Sequence, residues 1–186
     1  MYRAVALWAL RAGIGVDDPL KLEQLAQQAQ VEFAPGSNAV FLNGDDVTLA
    51  IREPSVSEAA SKVAAVPGVR RAMRAEQRRI GSTHSVVMEG RDIGTVVFPD
   101  AQVKIFLDAD PGIRAGRRAS ETGGPVDTIA REMAERDARD RTRAEAPLAQ
   151  APDAEYLDTT LLSPQQVEEA ILKIVRDRTS NGKGPH

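Results

Sequence analysis

The sequence predicts an α/β fold: a parallel sheet flanked by helices, with a small antiparallel insert. Three observations carry this. Apolar residues recur at helical spacing over residues 2–29; the period shortens to two over residues 31–51, around an Asn43-Gly44 turn; and from residue 85 onward short apolar runs alternate with helical stretches. At 186 residues and 42% hydrophobic, the chain is one ordinary domain with a small inserted subdomain.

The elements follow in order. Residues 2–12 read as a helix ended by Gly13 and Gly15, and 19–29 as a second that starts at a proline. Short strands are expected at 31–33, 39–42 and 47–51, with Asn43-Gly44 and Asp45-Asp46 turning the chain between the last two. Residues 57–66 are helical, and Pro67 opens a further helix to about residue 79. An apolar strand at 85–88 ends in Glu89-Gly90-Arg91-Asp92, and a buried strand spans 103–107. A helix over 111–120 is broken by Gly123-Gly124-Pro125, and another covers 128–143. Tyr156-Leu157 forms a last strand, Ser163 caps a closing helix at Pro164, and the polar tail from Ser180 is expected to be disordered. Ligands of parallel sheets sit beyond the carboxyl ends of strands, here Glu89–Asp92, Asp108–Asp110 and Asp158–Thr160.

Composition excludes several classes. There is no cysteine, so no disulfide framework, and His84 and His186 are too few and too distant for a histidine metal cluster; no metal ligands are assigned. No run of about 18 apolar residues and no signal peptide is visible, so a cytoplasmic protein without a membrane segment is expected. A net charge of −3, with 4% aromatics, argues against a nucleic-acid binder. Most of the cations are nonetheless arginine, which either reflects a biased genome or supplies planar forks for phosphate and base edges.

Arginines and aspartates interleave most densely over Arg136-Asp137-Ala138-Arg139-Asp140-Arg141-Thr142-Arg143. Positions 136, 140 and 143 share a helix face, which suits an anion together with hydroxyls or ring edges. A solvated helix with pairs such as Asp137 to Arg141 is the simpler alternative. Arg114, Arg117 and Arg118 also share a face beside a glycine-rich break, as in a phosphate-closing lid or a solvated basic surface. Gly90-Arg91-Asp92-Ile93-Gly94-Thr95 sets a cation and an anion between two glycines, which serves a structural pair as well as a site.

The order of these motifs is specific. Met1-Tyr2-Arg3-Ala4, Pro67-Gly68-Val69-Arg70 with Gln77-Arg78, Glu89-Gly90-Arg91-Asp92-Ile93-Gly94-Thr95, Lys104-Ile105-Phe106-Leu107, Arg114 with Arg117-Arg118, Arg136 through Arg143, Ala146-Pro147-Leu148 and Asp158-Thr159-Thr160 run in one family's sequence. The chain resembles bacterial cytidylate kinase, a nucleoside-monophosphate (NMP) kinase, from Met1 to about Arg176. The resemblance implies a P-loop NMP-kinase-like three-layer α/β/α fold. The core would be 1–30, 52–112 and 145–179, the antiparallel insert of the NMP-binding subdomain 31–51, the lid with its flanking helices 113–144, and the tail 180–186. It implies ATP-dependent phosphorylation of CMP and dCMP to CDP and dCDP, with Mg²⁺ accompanying ATP; a monomer is expected where the full-length chain is present.

By the same resemblance, Ser61 and Asp92 take the cytosine amino group, and Arg70 and Arg143 the ring acceptors. Tyr2, Arg136 and Asp140 hold the ribose. Arg3 and Arg91 grip the acceptor phosphate. Arg114, Arg117 and Arg118 meet ATP, with Arg91, Arg118 and Arg136 the candidate catalytic residues. That family carries a Gly-x-x-x-x-Gly-Lys-Ser/Thr P-loop ahead of its Met-Tyr-Arg segment. These 186 residues contain no such motif, since Gly182-Lys183-Gly184 lacks the spacing and the hydroxyl. The expectation is therefore that the N-terminal strand–P-loop–helix–strand, on the order of 35 residues, is absent and that this chain is truncated and impaired. The alternative is a P-loop-less degenerate kinase that binds CMP without catalysis.

Overall fold

The computed structural model describes residues 1–34, 36–142 and 145–180. The chain divides into two compact units, Met1–Val86 and the residues from Val87 onward.

The first unit is helical with a small sheet. Helix α1 (Tyr2–Arg11) buries Ala4, Val5, Ala6, Leu7 and Ala9, and its three alanines allow close approach to α3 (Pro54–Val63). It ends where Gly13 takes φ of 64°, a left-handed value that glycine adopts without strain. Helix α2 (Pro19–Gln28) starts at a proline behind Asp18, whose carboxylate accepts the Lys21 amide at 3.1 Å. It packs on α4 (Pro67–Thr83), where Val69, Met73 and Gln77 form a stripe four residues apart, with Arg70 beside it. Leu22, Met73, Val5, Val56 and Val63 are among the largest fully buried side chains of this unit.

Strands β1 (Val31–Phe33), β2 (Val40–Leu42) and β3 (Asp45–Asp46) form an antiparallel sheet in that order, with Val31 opposite Leu42 and Phe41 opposite Asp46. Asn43 and Gly44 both take positive φ, 52° and 88°, as a tight hairpin turn requires. The strand expected over 47–51 does not form. Asp46 accepts the Thr48 amide at 2.8 Å and Thr48 Oγ1 accepts the Val40 amide at 2.9 Å, so side chains take over the ladder's backbone partners. The chain then closes into a 3-10 turn, Ala50–Arg52.

The second unit holds a two-stranded parallel sheet, β4 (Ile105–Asp108) beside β5 (Glu155–Asp158), paired Ile105 to Glu155 through Asp108 to Asp158. The crossover between them carries α5 (Pro111–Thr122) and α6 (Val126–Thr142). Asp110 caps α5 by accepting the Gly112 and Ile113 amides at 2.8 and 3.1 Å. Gly123, at φ 73°, ends that helix at the expected break. Helix α7 (Pro164–Ser180) opens on a reciprocal cap, Ser163 Oγ accepting the Gln166 amide and Gln166 Oε1 the Ser163 amide; it includes Ser180, where the tail was expected to begin.

The apolar stretch at 85–88, expected as a strand, pairs with none among the described residues, and Val87 is wholly exposed. An apolar run signals a strand only where a partner edge takes up its backbone groups. Ile93–Val97 instead forms a π-helical turn, a form frequent at functional sites. Arg143 and the residues from Asn181 lie outside the described residues.

Leu22 is 0% exposed at the centre of the first unit. Leu22→Ala is expected to cost about 2–5 kcal/mol of stability, read as a lower urea midpoint at unchanged slope.

Candidate functional site

The predicted residues fall into a group on each unit. In the first, Tyr2 and Arg3 occupy the opening turn of α1. The Arg70 guanidinium lies 5.9 Å from the centre of the Tyr2 ring, a cation–π contact, and donates from Nη1 to the Ala64 carbonyl at 3.3 Å. At 4% exposure Arg70 is part of the core, so its fork is held by packing. Arg3 donates to the Ile51 carbonyl at 3.2 Å and is fixed by the 3-10 turn that replaces the expected strand. Ser61 lies on α3, outside its buried face of Val56, Ala59, Ala60 and Val63. A concavity of this unit, about 540 Å³, is lined by Asn38, Ala39, Asp46, Thr48, Leu49 and Ala50, none of them predicted as site residues.

In the second unit, Asp92 is buried and opens the π-helical turn, its carbonyl accepting the Val96 and Val97 amides at 2.9 and 3.2 Å. Arg91 beside it donates from Nε to Asp140 of α6 at 3.1 Å. The structure thus joins the Gly90–Thr95 motif to the arginine-rich helix. Lys104 supports the turn from below. Its stem lies against Gly94, where a Cβ would meet Lys104 Cδ at 3.3 Å, and its ammonium donates to the Pro99 carbonyl and to Asp153 at 2.7 Å. The hydrogen bond from Lys104 holds the Asp153 carboxyl below its ordinary pKa.

Arg114, Arg117 and Arg118 share a face by spacing but not by partner. Arg114 Nη1 donates to Asp137 of α6 at 2.7 Å. Arg117 spans to the turn after β5, where Nη2 donates to the carbonyls of Thr159, Thr160 and Leu162 at 2.6, 3.3 and 3.2 Å and Nη1 to Thr159 Oγ1 at 3.2 Å. That turn is also tied to the end of β4, since Thr160 Oγ1 accepts the Asp110 amide at 2.9 Å. Arg118 meets Glu121 on its own helix at 3.3 Å, an exposed pair that exchanges easily with solvent or an anion. Arg136 lies on an exposed part of α6. Sequence reading missed Lys104 as a support and paired Asp137 with Arg141. Nothing in the linear spacing marks either three-dimensional partner.

Comparison with known proteins places this arrangement. A family model described as cytidylate kinase matches residues 1–177. A cytidylate kinase of Solibacter usitatus (strain Ellin6076) is 62% identical over 190 residues, covering 98% of this chain and 81% of that protein. The chain belongs to the cytidylate kinase family. A cytidylate kinase of Syntrophotalea carbinolica (strain DSM 2380 / NBRC 103641 / GraBd1) is 47% identical over 186 residues, 96% of this chain and 79% of that protein. A bifunctional pantoate ligase/cytidylate kinase of Synechococcus sp. (strain JA-3-3Ab) is 42% identical over 196 residues, all of this chain and 36% of that protein. Membership of the cytidylate kinase family accords with an α/β chain that carries one small antiparallel and one parallel sheet. Among the described residues no helix is long and apolar enough to cross a membrane.

The Lys104–Asp153 pair gives a pH test. The hydrogen bond from Lys104 makes the Asp153 carboxyl titrate lower in the folded chain than its ordinary value of 3.8, so the stability it contributes is fully present above that value and is lost as pH falls through the lower folded value. In urea unfolding, wild type is expected to exceed Asp153→Asn by a constant margin from pH 7 to about 5, with the margin closing below about pH 4.

Proposed function

We propose that this protein transfers the γ-phosphoryl group of ATP to CMP and dCMP, giving ADP and CDP or dCDP. The observation that carries the reading is the family match over residues 1–177. The bond from the γ-phosphorus to the β-phosphate bridging oxygen breaks, and a bond from that phosphorus to an oxygen of the acceptor phosphate forms. The acceptor is already an anion, so no side-chain base is needed. Positioning and charge neutralisation supply the catalysis.

Residue roles follow the chemistry of cytosine, whose N4 amino group donates and whose N3 and O2 accept. Asp92 and Ser61 accept from the amino group, while Arg70 and, by its place in the motif, Arg143 donate to the ring. Burial suits Asp92 and Arg70 to this role, because a fixed polar group discriminates bases more sharply than a mobile one. Tyr2, Arg136 and Asp140 hold the ribose, and Arg3 and Arg91 the acceptor phosphate. Arg114, Arg118 and Arg136 neutralise the transferring group. The Arg117 fork already donates to the Thr159, Thr160 and Leu162 carbonyls, and its role is to hold that turn. The protein is cytoplasmic and monomeric in this reading.

Mg²⁺ accompanies ATP. Among the described residues no group of three His, Cys, Asp or Glu side chains is placed to hold a metal, so they build no dedicated cage for it. Magnesium at such sites is bound chiefly by phosphates and water.

A coupled assay with ATP and each of CMP, UMP and AMP tests this: turnover with CMP preferred supports the kinase, and no turnover with CMP, or none preferring it, contradicts it. In the active protein Asp92→Ala is expected to raise KM for CMP far more than for ATP, and Arg3→Ala to cost about 1.5–3 kcal/mol in kcat/KM for CMP. Equal losses toward both substrates contradict the base-reading role of Asp92.

A further inference from the structure

The sequence reading gave Asp137 only a helix-surface pair with Arg141, yet it makes a short polar contact between α5 and α6. Its Oδ2 accepts Arg114 Nη1 at 2.7 Å, and the two side chains are 17% and 30% exposed. Arg114 Nε is buried without a hydrogen-bond partner among the described residues, which leaves the Asp137 carboxylate to orient this fork. The contrast with Arg118 is direct, since its partner Glu121 lies three residues along the same exposed helix face and fixes little.

We propose that Asp137 is a positioning residue for the donor side of the reaction. Its carboxylate holds one edge of the Arg114 guanidinium and so presets the rest of the fork for the polyphosphate of ATP. A charge-assisted hydrogen bond in a partly desolvated place selects one rotamer of a long, flexible side chain. Asp137 stands next to Arg136 and one turn before Asp140 on α6, and Asp140 binds Arg91 at 3.1 Å. One helix therefore carries the anchor of a donor-side arginine together with residues of the acceptor side. A shift of α6 moves both.

The inference rests on the kinase reading above, and the experiment separates the two. In the full chain, Asp137→Ala is expected to raise KM for ATP or lower kcat by roughly tenfold or more, with KM for CMP within about twofold of wild type. Asp137→Glu should recover most of the loss. Arg114→Met combined with Asp137→Ala should lose little beyond Arg114→Met alone, because both remove the same interaction. If Asp137→Ala does not fold, Asp137→Asn, which keeps the shape and drops the charge, serves the same comparison. Equal shifts for both substrates, losses that multiply in the double variant, or lower stability with normal ATP kinetics each overturn the positioning role. A wild-type protein that does not phosphorylate CMP overturns the kinase reading itself, and this inference with it.

Discussion

Two ion pairs orient helix α6. It buries no side chain among the described residues, and Asp137 reaches Arg114 while Asp140 reaches Arg91. Neither pair is deeply buried, so each contributes modestly to stability. Their larger effect is on orientation, because the candidate ribose-binding residues Arg136 and Asp140 point where these two contacts turn the helix. An element fixed in this way is movable at low cost and sensitive to ionic strength. Such properties suit the lid that the family resemblance implies for residues 113–144.

The two units order their functional side chains by different means. The first uses packing: an aliphatic core fixes α1, α3 and α4, and Arg70 is embedded in that core under the Tyr2 ring. The second buries few apolar side chains among its described residues, namely Val97, Ala109, Ala115 and Ala151. It relies on polar ties instead. Arg117 gathers the carbonyls of the turn after β5, Lys104 anchors the Asp92 turn, and Asp110 caps α5. Leu107 and Tyr156 on the parallel strands stay about half exposed, although parallel sheets commonly bury both faces.

Local signals in the sequence were read well where the cause is local. Asn43-Gly44 turns the hairpin because both residues tolerate positive φ, Pro19, Pro67 and Pro111 open helices, Gly123 ends one, and Ser163 caps another. Readings failed where the outcome depends on a distant partner. Residues 85–88 have strand composition but no paired edge, and Thr48 and Asp46 divert a strand into a turn. The site showed the same limit. Motif order revealed the family, but spacing put Arg114, Arg117 and Arg118 together on one face, while their long side chains reach three separate partners. Asp137 could not be told from the other acids of a mixed-charge helix until its partner on α5 was seen.

The proposed site reads cytosine. Calorimetric titration of the 186-residue chain with CMP and with UMP tests it most directly. The two bases differ at position 4, where an amino donor in one is a carbonyl acceptor in the other. Binding of CMP roughly tenfold or more tighter than UMP is expected from a buried acceptor such as Asp92. Equal affinity for the two nucleotides, or binding of neither, contradicts it.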